Sequence, residues 1–223
     1  MKIDMNKEKN GFIIGMLLGD GHFNKNRNSI DLTHGLKQKA YLKLKMKLAK
    51  EAGFTISELV ESTRKTNVGI HASCRASIKI GDSKLNDLSF VDKIKKLTPL
   101  GLLIWWVDDG NFNITKTKCK NDCKTSRFGY LNTQRFSLQD NEIISKELES
   151  KFNISTTINK DTKSGVGSRD NFRLYLNTES MKKLIDVFRN YVPLLPTDVY
   201  YKVNMGFIEG EKKFDKKDLK YNF

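Results

Sequence analysis

No apolar run in this 223-residue sequence reaches the length of a membrane span; the longest stop at about ten residues. "GFIIGMLL", near the start, lacks a small-residue cleavage site after it, so it does not read as a signal peptide. Cysteine is scarce and odd in number: Cys74, Cys119 and Cys123 cannot all pair within the chain. A chain this long can bury a core without staples, so a reducing interior is expected. Acid is short relative to base, with 26 Asp and Glu against 40 Lys and Arg, a net charge of +14. The excess is +9 in residues 1–100 and +5 in 101–223, so it belongs to the body of the chain rather than to a basic tail. A folded protein with this much like charge gains from a polyanionic partner, whose counterions are released on binding. Hydrophobic residues at 38% and charged residues at 30% suit a globular protein and exclude wholesale disorder.

Two stretches nearly repeat. "LLGDGHFN" (17–24) and "WVDDGNFN" (106–113) coincide at Asp20/Asp109, Gly21/Gly110, Phe23/Phe112 and Asn24/Asn113, and each ends an uncharged run. The order helix–strand–strand–helix–strand–strand–helix follows each copy, which predicts duplication of a domain-sized unit rather than a solenoid. In the first unit, "HFNKNRNSIDLTHG" predicts a hairpin turning at Lys25–Asn28. A helix is expected over "LKQKAYLKLKMKLAKEAGF", with Leu36, Ala40, Leu42, Met46, Leu48 and Ala49 inward and a stop at Gly53. Ser83 is the expected cap of a short helix over "SKLNDLSFVDKI". In the second unit, helices are expected over "LQDNEIISKELESKF" and, capped by Thr178, over "TESMKKLIDVFRNYV".

Alternation separates a core face from a working face in the strands. Phe172, Leu174 and Leu176 oppose Arg173, Tyr175 and Asn177, and Ile78 and Ile80 oppose Ser77 and Lys79. "RFGYLNTQRFS" interleaves Arg127, Tyr130, Thr133, Gln134 and Arg135. Side chains of these types read base edges in a DNA major groove.

A single Asp-Gly is punctuation, with the glycine in a left-handed turn after a helix. Two copies at matching places ask for more. A carboxylate at a helix C-terminus meets the negative end of the macrodipole, and two such helices side by side crowd two carboxylates together. A cation relieves that arrangement, and oxygen-only ligands describe a Mg²⁺ site suited to in-line attack on phosphodiesters.

"IIGMLLGDG" (13–21) and "LLIWWVDDG" (102–110) resemble the two signature helices of the LAGLIDADG homing endonucleases, in the single-chain, two-motif form. "KQKAYL", "LNTQRFS" and "LLPTDVYYKV" resemble family segments in matching order. The resemblance implies an α+β fold of two pseudo-symmetric αββαββα halves, packed through the motif helices, with saddle-shaped antiparallel sheets over DNA. It divides the chain into residues 1–97, 98–209 and a basic tail, 210–223. It implies a monomeric intron-homing enzyme that makes a double-strand break with short 3′ overhangs in a long, asymmetric duplex target.

By the same resemblance Asp20 and Asp109 are the catalytic metal ligands, joined by the carbonyls of Gly19 and Asp108, with Mg²⁺ as cofactor and Mn²⁺ as substitute. Lys202 falls where the family keeps a lysine near the water network; its first-half equivalent is one of Lys93, Lys95 or Lys96. Lys37, Gln38, Ser77, Lys79, Arg127, Gln134, Arg135, Arg173, Tyr175 and Asn177 form the DNA-contacting set. The third motif position is Gly15 in one helix and Ile104 in the other, so asymmetric helix packing is expected. An intron maturase acting on RNA and a cleavage-inactive DNA-binding regulator are the alternatives on this scaffold, and retention of both acids weighs against the regulator. No membrane is implied, and an intracellular, reducing, DNA-containing compartment is expected, whether bacterial or phage-infected cytoplasm or an organelle. Cys119 and Cys123 lack a second pair for zinc, "DDGNFN" lacks the closing Glu of a calcium loop, and His22, His34 and His71 read as surface or DNA-face residues.

Overall fold

The computed structural model describes residues 3–66, 69–81, 85, 88–119, 122–161 and 171–204, with side chains at all of these except 66, 116–119 and 122–125. Ser83, the tail 210–223 and the side chains of Cys119 and Cys123 lie outside these residues.

Two helices form the centre. α1 (Met5–Leu18) and α4 (Pro99–Asp109) are buried almost all round, as their uncharged runs require. Asp4 caps α1 by accepting from the Asn6 N–H; Thr98 caps α4 and Pro99 supplies its first turn. The helices touch backbone to backbone. A methyl group at Gly15 would collide with the Gly101 carbonyl, and one at Gly101 with the Gly11 carbonyl. Gly101, one turn before Ile104, therefore supplies the small residue that the third motif position lacks. Ile104 is buried, and its carbonyl accepts the Tyr41 hydroxyl at 3.2 Å.

After α1, β1 (His22–Asn24) and β2 (Ser29–Gly35) form the expected hairpin, with a 3-10 turn at Lys25–Arg27. The next helix, α2 (Lys39–Glu51), ends before Gly53, whose φ of +81° is the left-handed turn that glycine tolerates. Its buried face differs from the expected one: Tyr41, Leu42, Lys45, Leu48 and Ala49 face inward, while Leu36 and Ala40 are exposed. β3 (Thr55–Ile56), β4 (Val60–Thr66) and β5 (Gly69–Lys79) complete a five-stranded antiparallel sheet around β5. α3 (Phe90–Lys95) is capped by Ser89, which accepts from Asp92 N–H; its start lies later than a cap at Ser83 would place it.

After α4, β6 (Gly110–Cys119) and β7 (Asp122–Leu131) form a long hairpin, and β8 (Thr157–Lys160) and β9 (Phe172–Leu176) extend it into a four-stranded antiparallel sheet, order β6-β7-β9-β8. α5 (Leu138–Phe152) opens with a capping box between Ser137 and Asp140. α6 (Thr178–Phe188) is capped by Asn177 rather than by Thr178, whose hydroxyl instead donates to the Arg127 carbonyl at 2.6 Å. α7 (Thr197–Tyr200) brings Lys202 back beneath α4. The helix–strand–strand–helix–strand–strand–helix plan thus occurs twice, the first unit carrying one further short strand, β3, with the helix pair at the centre.

Each sheet is apolar on the face toward the helices and open on the other. Ile30, Leu32, Ala76 and Ile78 face inward on the first sheet; Leu131, Leu174 and Leu176 do so on the second. The register sets the open faces. Asp31 lies opposite Ser77 and Thr33 opposite Arg75; Tyr130 lies between Asn111 and Tyr175.

Candidate active site and nucleic-acid interface

Both repeated acids sit where the central helices end. Asp109 is the last residue of α4, and Asp20 follows Gly19, the C-cap of α1. The glycines after them are not left-handed: Gly110 has φ −74° and ψ 145°, and Gly21 is not among the glycines with positive φ. Crowding explains them instead, because a side chain on Gly110 would strike the Trp106 carbonyl and indole, and one on Gly21 would meet the Met16 carbonyl.

The carboxylates share a partly buried space. Burial, then the charge of Asp20, pushes the Asp109 carboxyl up to about 6. Asp20 is also raised, by burial and then by Asp108, while Lys45, Lys202 and Arg135 pull it back. Burial lowers the Lys202 ammonium, and the three acids partly offset this. Lys202 donates to the Gly110 carbonyl at 2.8 Å and approaches the Asp108 carbonyl at 3.5 Å, and its own carbonyl accepts the Trp106 indole N–H at 2.9 Å. The expected set of Asp20, Asp109, Lys202, Gly19 and Asp108 therefore comes together.

Three further side chains belong to the site and lie outside that set's expected roles. The Asp108 side chain is fully buried although its residue retains exposed surface, so it turns inward while its backbone faces out. It accepts the Lys45 ammonium at 2.7 and 2.8 Å and the Asp20 N–H at 3.1 Å. Gly19 leaves room for it; any side chain there would strike the Asp108 carboxylate. Lys45, also fully buried, meets His34 Nε2 at 3.2 Å. His34 is buried, contrary to the surface position expected of it, and its Nδ1 lies 3.6 Å from Asp20 Oδ2. Burial and the neighbouring ammonium hold His34 down to about 4, so its ring is neutral at pH 7. An ammonium can only donate, so Nε2 accepts from Lys45 and Nδ1 carries the proton toward Asp20. Arg135 reaches across from the second unit to donate to the carbonyls of Leu17, at 2.9 Å, and Leu18 at the end of α1.

Lys45 had a local signal. Tyr41, Lys45, Leu48 and Ala49 recur at helical spacing, which puts the lysine on the apolar stripe. Of the first-unit lysines singled out from the sequence, Lys95 and Lys96 are exposed and Lys93 is half-buried. The cations whose charges act on Asp20 are Lys45, Lys202 and Arg135.

The other expected DNA-contacting residues fall into separate groups. Ser77 is on the open face of the first sheet and donates to Asp31 at 2.7 Å; Asp31 also accepts Arg27 at 2.7 Å and Asn24 at 3.2 Å. Lys79 is exposed at the end of β5, and Lys37 is exposed beside the half-buried Gln38. On the second sheet Arg173 stacks 3.9 Å from the Tyr130 ring centroid, and Phe128, Tyr130 and Tyr175 form an aromatic cluster with centroids 5.4–5.9 Å apart. Arg127 lies on the opposite side of β7, with Gly129 and Leu131. Gln134 and Arg135 follow the strand in a turn, where Gln134 donates to Asp161 at 3.2 Å. Asn177 uses its side-chain oxygen to cap α6.

A family model, the LAGLIDADG DNA endonuclease family, matches residues 10–184. The solved homing endonuclease I-WcaI, bound to its DNA recognition sequence, shares the fold with a TM-score of 0.68 at 20% identity, over 91% of this chain and 88% of that one. The N-terminal LAGLIDADG domain of DUF199/WhiA matches with a TM-score of 0.48 at 15% identity, over 82% of this chain and 81% of that one. Curated relatives are proteins named RecA: 33% identity over 110 residues in Mycobacterium shimoidei and 32% over 113 residues in Mycolicibacterium fallax. Each alignment covers 46% of this chain and 26% of the RecA protein, so the chain matches only a minor part of those relatives' length.

Proposed function

We propose, for a chain that belongs to the LAGLIDADG DNA endonuclease family, a monomeric, metal-dependent homing endonuclease that makes a double-strand break in a long, asymmetric DNA target. The observation that carries this reading is the pairing of Asp20 and Asp109 at the ends of two helices in backbone contact, each acid raised by burial and by a neighbouring carboxylate. Two crowded carboxylates with backbone carbonyls beside them fit a hard divalent cation, Mg²⁺ or Mn²⁺. Asp20 and Asp109 would hold it, with the Gly19 and Asp108 carbonyls as further donors. An ion held there would stabilise charge on the attacking and leaving phosphodiester oxygens.

The protein's own groups do the rest. His34 stands beside the Asp20 carboxylate, its Nδ1 3.6 Å from Oδ2. Lys202, anchored on the Gly110 and Asp108 carbonyls, supplies positive charge beside the scissile phosphates. Residues 1–97 and 98–209 would each lay one open sheet face along the major groove. Arg75, Ser77 and Lys79 line the first face, and Arg173 and Tyr175 the second. The excess of base over acid drives the approach to DNA. Two unlike faces suit an asymmetric target, and the two acids suit a staggered cut with short 3′ overhangs. The enzyme would act in a reducing, DNA-containing compartment.

The test is a cleavage selection: incubation with a large duplex library and Mg²⁺, followed by sequencing of cut ends. Cuts at one long motif, abolished by chelation and by Asp20→Asn or Asp109→Asn, are the expected result. Tight binding to intron RNA, with no metal-dependent cut in DNA, would replace this reading with a maturase.

A further inference from the structure

Lys45 is the only buried lysine among the described residues, and the two units treat its position differently. It is the seventh residue of α2; the seventh residue of α5 is Ile144, buried and apolar. Its partner Asp108 precedes the acid of the second motif, where the first motif has Gly19. His34 stands two residues after Leu32, and Thr133 two residues after Leu131. Thr133 is buried too, but its hydroxyl bonds the Asn141 side chain in a neutral pair. Asp108, Lys45 and His34 thus each have an uncharged counterpart in the other unit, and only Asp20 is matched by an acid, Asp109. The network exists once, on one side of the pseudo-two-fold.

Its geometry is that of a candidate cation site with an ammonium at its edge. Ligand atoms from Asp20, His34 and Asp108 all lie within 4.8 Å of one another, close enough to hold a metal ion. The Lys45 ammonium holds two members of this group, with both Asp108 oxygens at 2.7 and 2.8 Å and His34 Nε2 at 3.2 Å, and its charge acts on the third, Asp20. Those contacts match the three hydrogens it can donate. A buried carboxylate without a cation is costly, and here the protein brings its own.

We infer that Lys45 is a resident cation standing in place of a metal ion beside Asp20, and that its removal turns Asp20, His34 and Asp108 into a carboxylate–imidazole site for a transition metal. The inference rests on Asp20 being a metal-facing acid, as proposed above. Imidazole added to carboxylate favours Co²⁺, Ni²⁺ or Zn²⁺ over Mg²⁺. The Asp20 side chain is 43% exposed, which gives an ion a way in. The two halves are then unequal by construction: Lys202 and Arg135 act on both acids, and the buried Lys45 is added on the Asp20 side.

The experiment counts Co²⁺ by equilibrium dialysis on the full chain without DNA and records its visible absorption. Lys45→Ala is expected to hold one more Co²⁺ per chain than the unaltered protein. The added absorption should vanish when His34→Gln is placed on the same background. Equal counts in folded samples, or an added ion indifferent to His34→Gln, would overturn the inference. If Lys45→Ala unfolds without metal, Co²⁺ should restore its circular dichroism, and failure to do so counts equally against it. Since the count needs no cleavage, the two readings separate. An unaltered protein that never cuts DNA sinks the endonuclease reading alone, whereas equal counts in an enzyme that does cut sink the resident cation alone.

Discussion

Lys45 Nζ lies 2.7 Å from one carboxylate oxygen of Asp108 and 2.8 Å from the other, with both side chains sealed from solvent. The residues are 63 positions apart and belong to different units, so the pair ties one unit to the motif helix of the other. Removing one partner strands a buried charge. Lys45→Met is expected to lower unfolding stability by about 3–5 kcal/mol. Pairing it with Asp108→Leu should recover most of that loss, because no charge is then left buried. Urea denaturation of the single and double variants measures both numbers.

The helix contact should be equally sensitive to bulk. Gly15→Ala places a methyl group against the Gly101 carbonyl, and backbone cannot rotate aside as a side chain can. A loss of about 3 kcal/mol, the upper end of the typical range for overpacking, is expected in a thermal melt. Gly35→Ala meets nothing within 4 Å and serves as the control.

Metal affinity is expected to fall with acid. The Asp109 carboxyl is raised to about 6, so below that pH a proton should compete with an ion bound there and lower the apparent affinity. The linkage sign for the metal-free protein is the reverse. Between the ordinary 3.8 and about 6 the folded state binds more protons than the unfolded state. The contribution of this group to stability therefore grows as pH falls through about 6 and is lost as pH rises above it. Melts of the unaltered protein and Asp109→Asn across this window, with and without Mg²⁺, isolate the effect.

The open sheet faces should give binding a steep salt dependence. Lys79→Ala is expected to weaken DNA binding across sequences and to reduce the slope of log K against log salt by about 1. Arg173→Ala removes a guanidinium stacked on Tyr130 and is expected to change base preference on its half of the target. Fluorescence anisotropy at several salt concentrations separates the two behaviours.

The fold was legible wherever the pattern was local. The uncharged runs before Asp20 and Asp109 announced buried helices, and α5 spans the residues its pattern marks, Leu138–Phe152. The turn at Lys25–Asn28 and the stop at Gly53 fell where polar residues and glycine put them. What stayed hidden depends on partners distant in sequence. Nothing near Lys45 names Asp108, and nothing near His34 shows that α2 will bury it. Ser83 and Ser89 are both hydroxyls before an apolar stretch, and Ser89 is the one that accepts from the Asp92 N–H at the start of α3. Arg127 shared a stretch with Tyr130, but three residues apart on a strand means opposite faces. The two acids were found because they were repeated; the side chains that distinguish them were not, because they occur once.

The most direct test of the central claim is cleavage and binding of one duplex target by the unaltered protein, Asp20→Asn and Asp109→Asn, with Mg²⁺ and with chelator. The account predicts a metal-dependent double-strand break only with both acids present, and DNA affinity retained within a few-fold in each variant. A double-strand break that survives either substitution in a folded protein would contradict it.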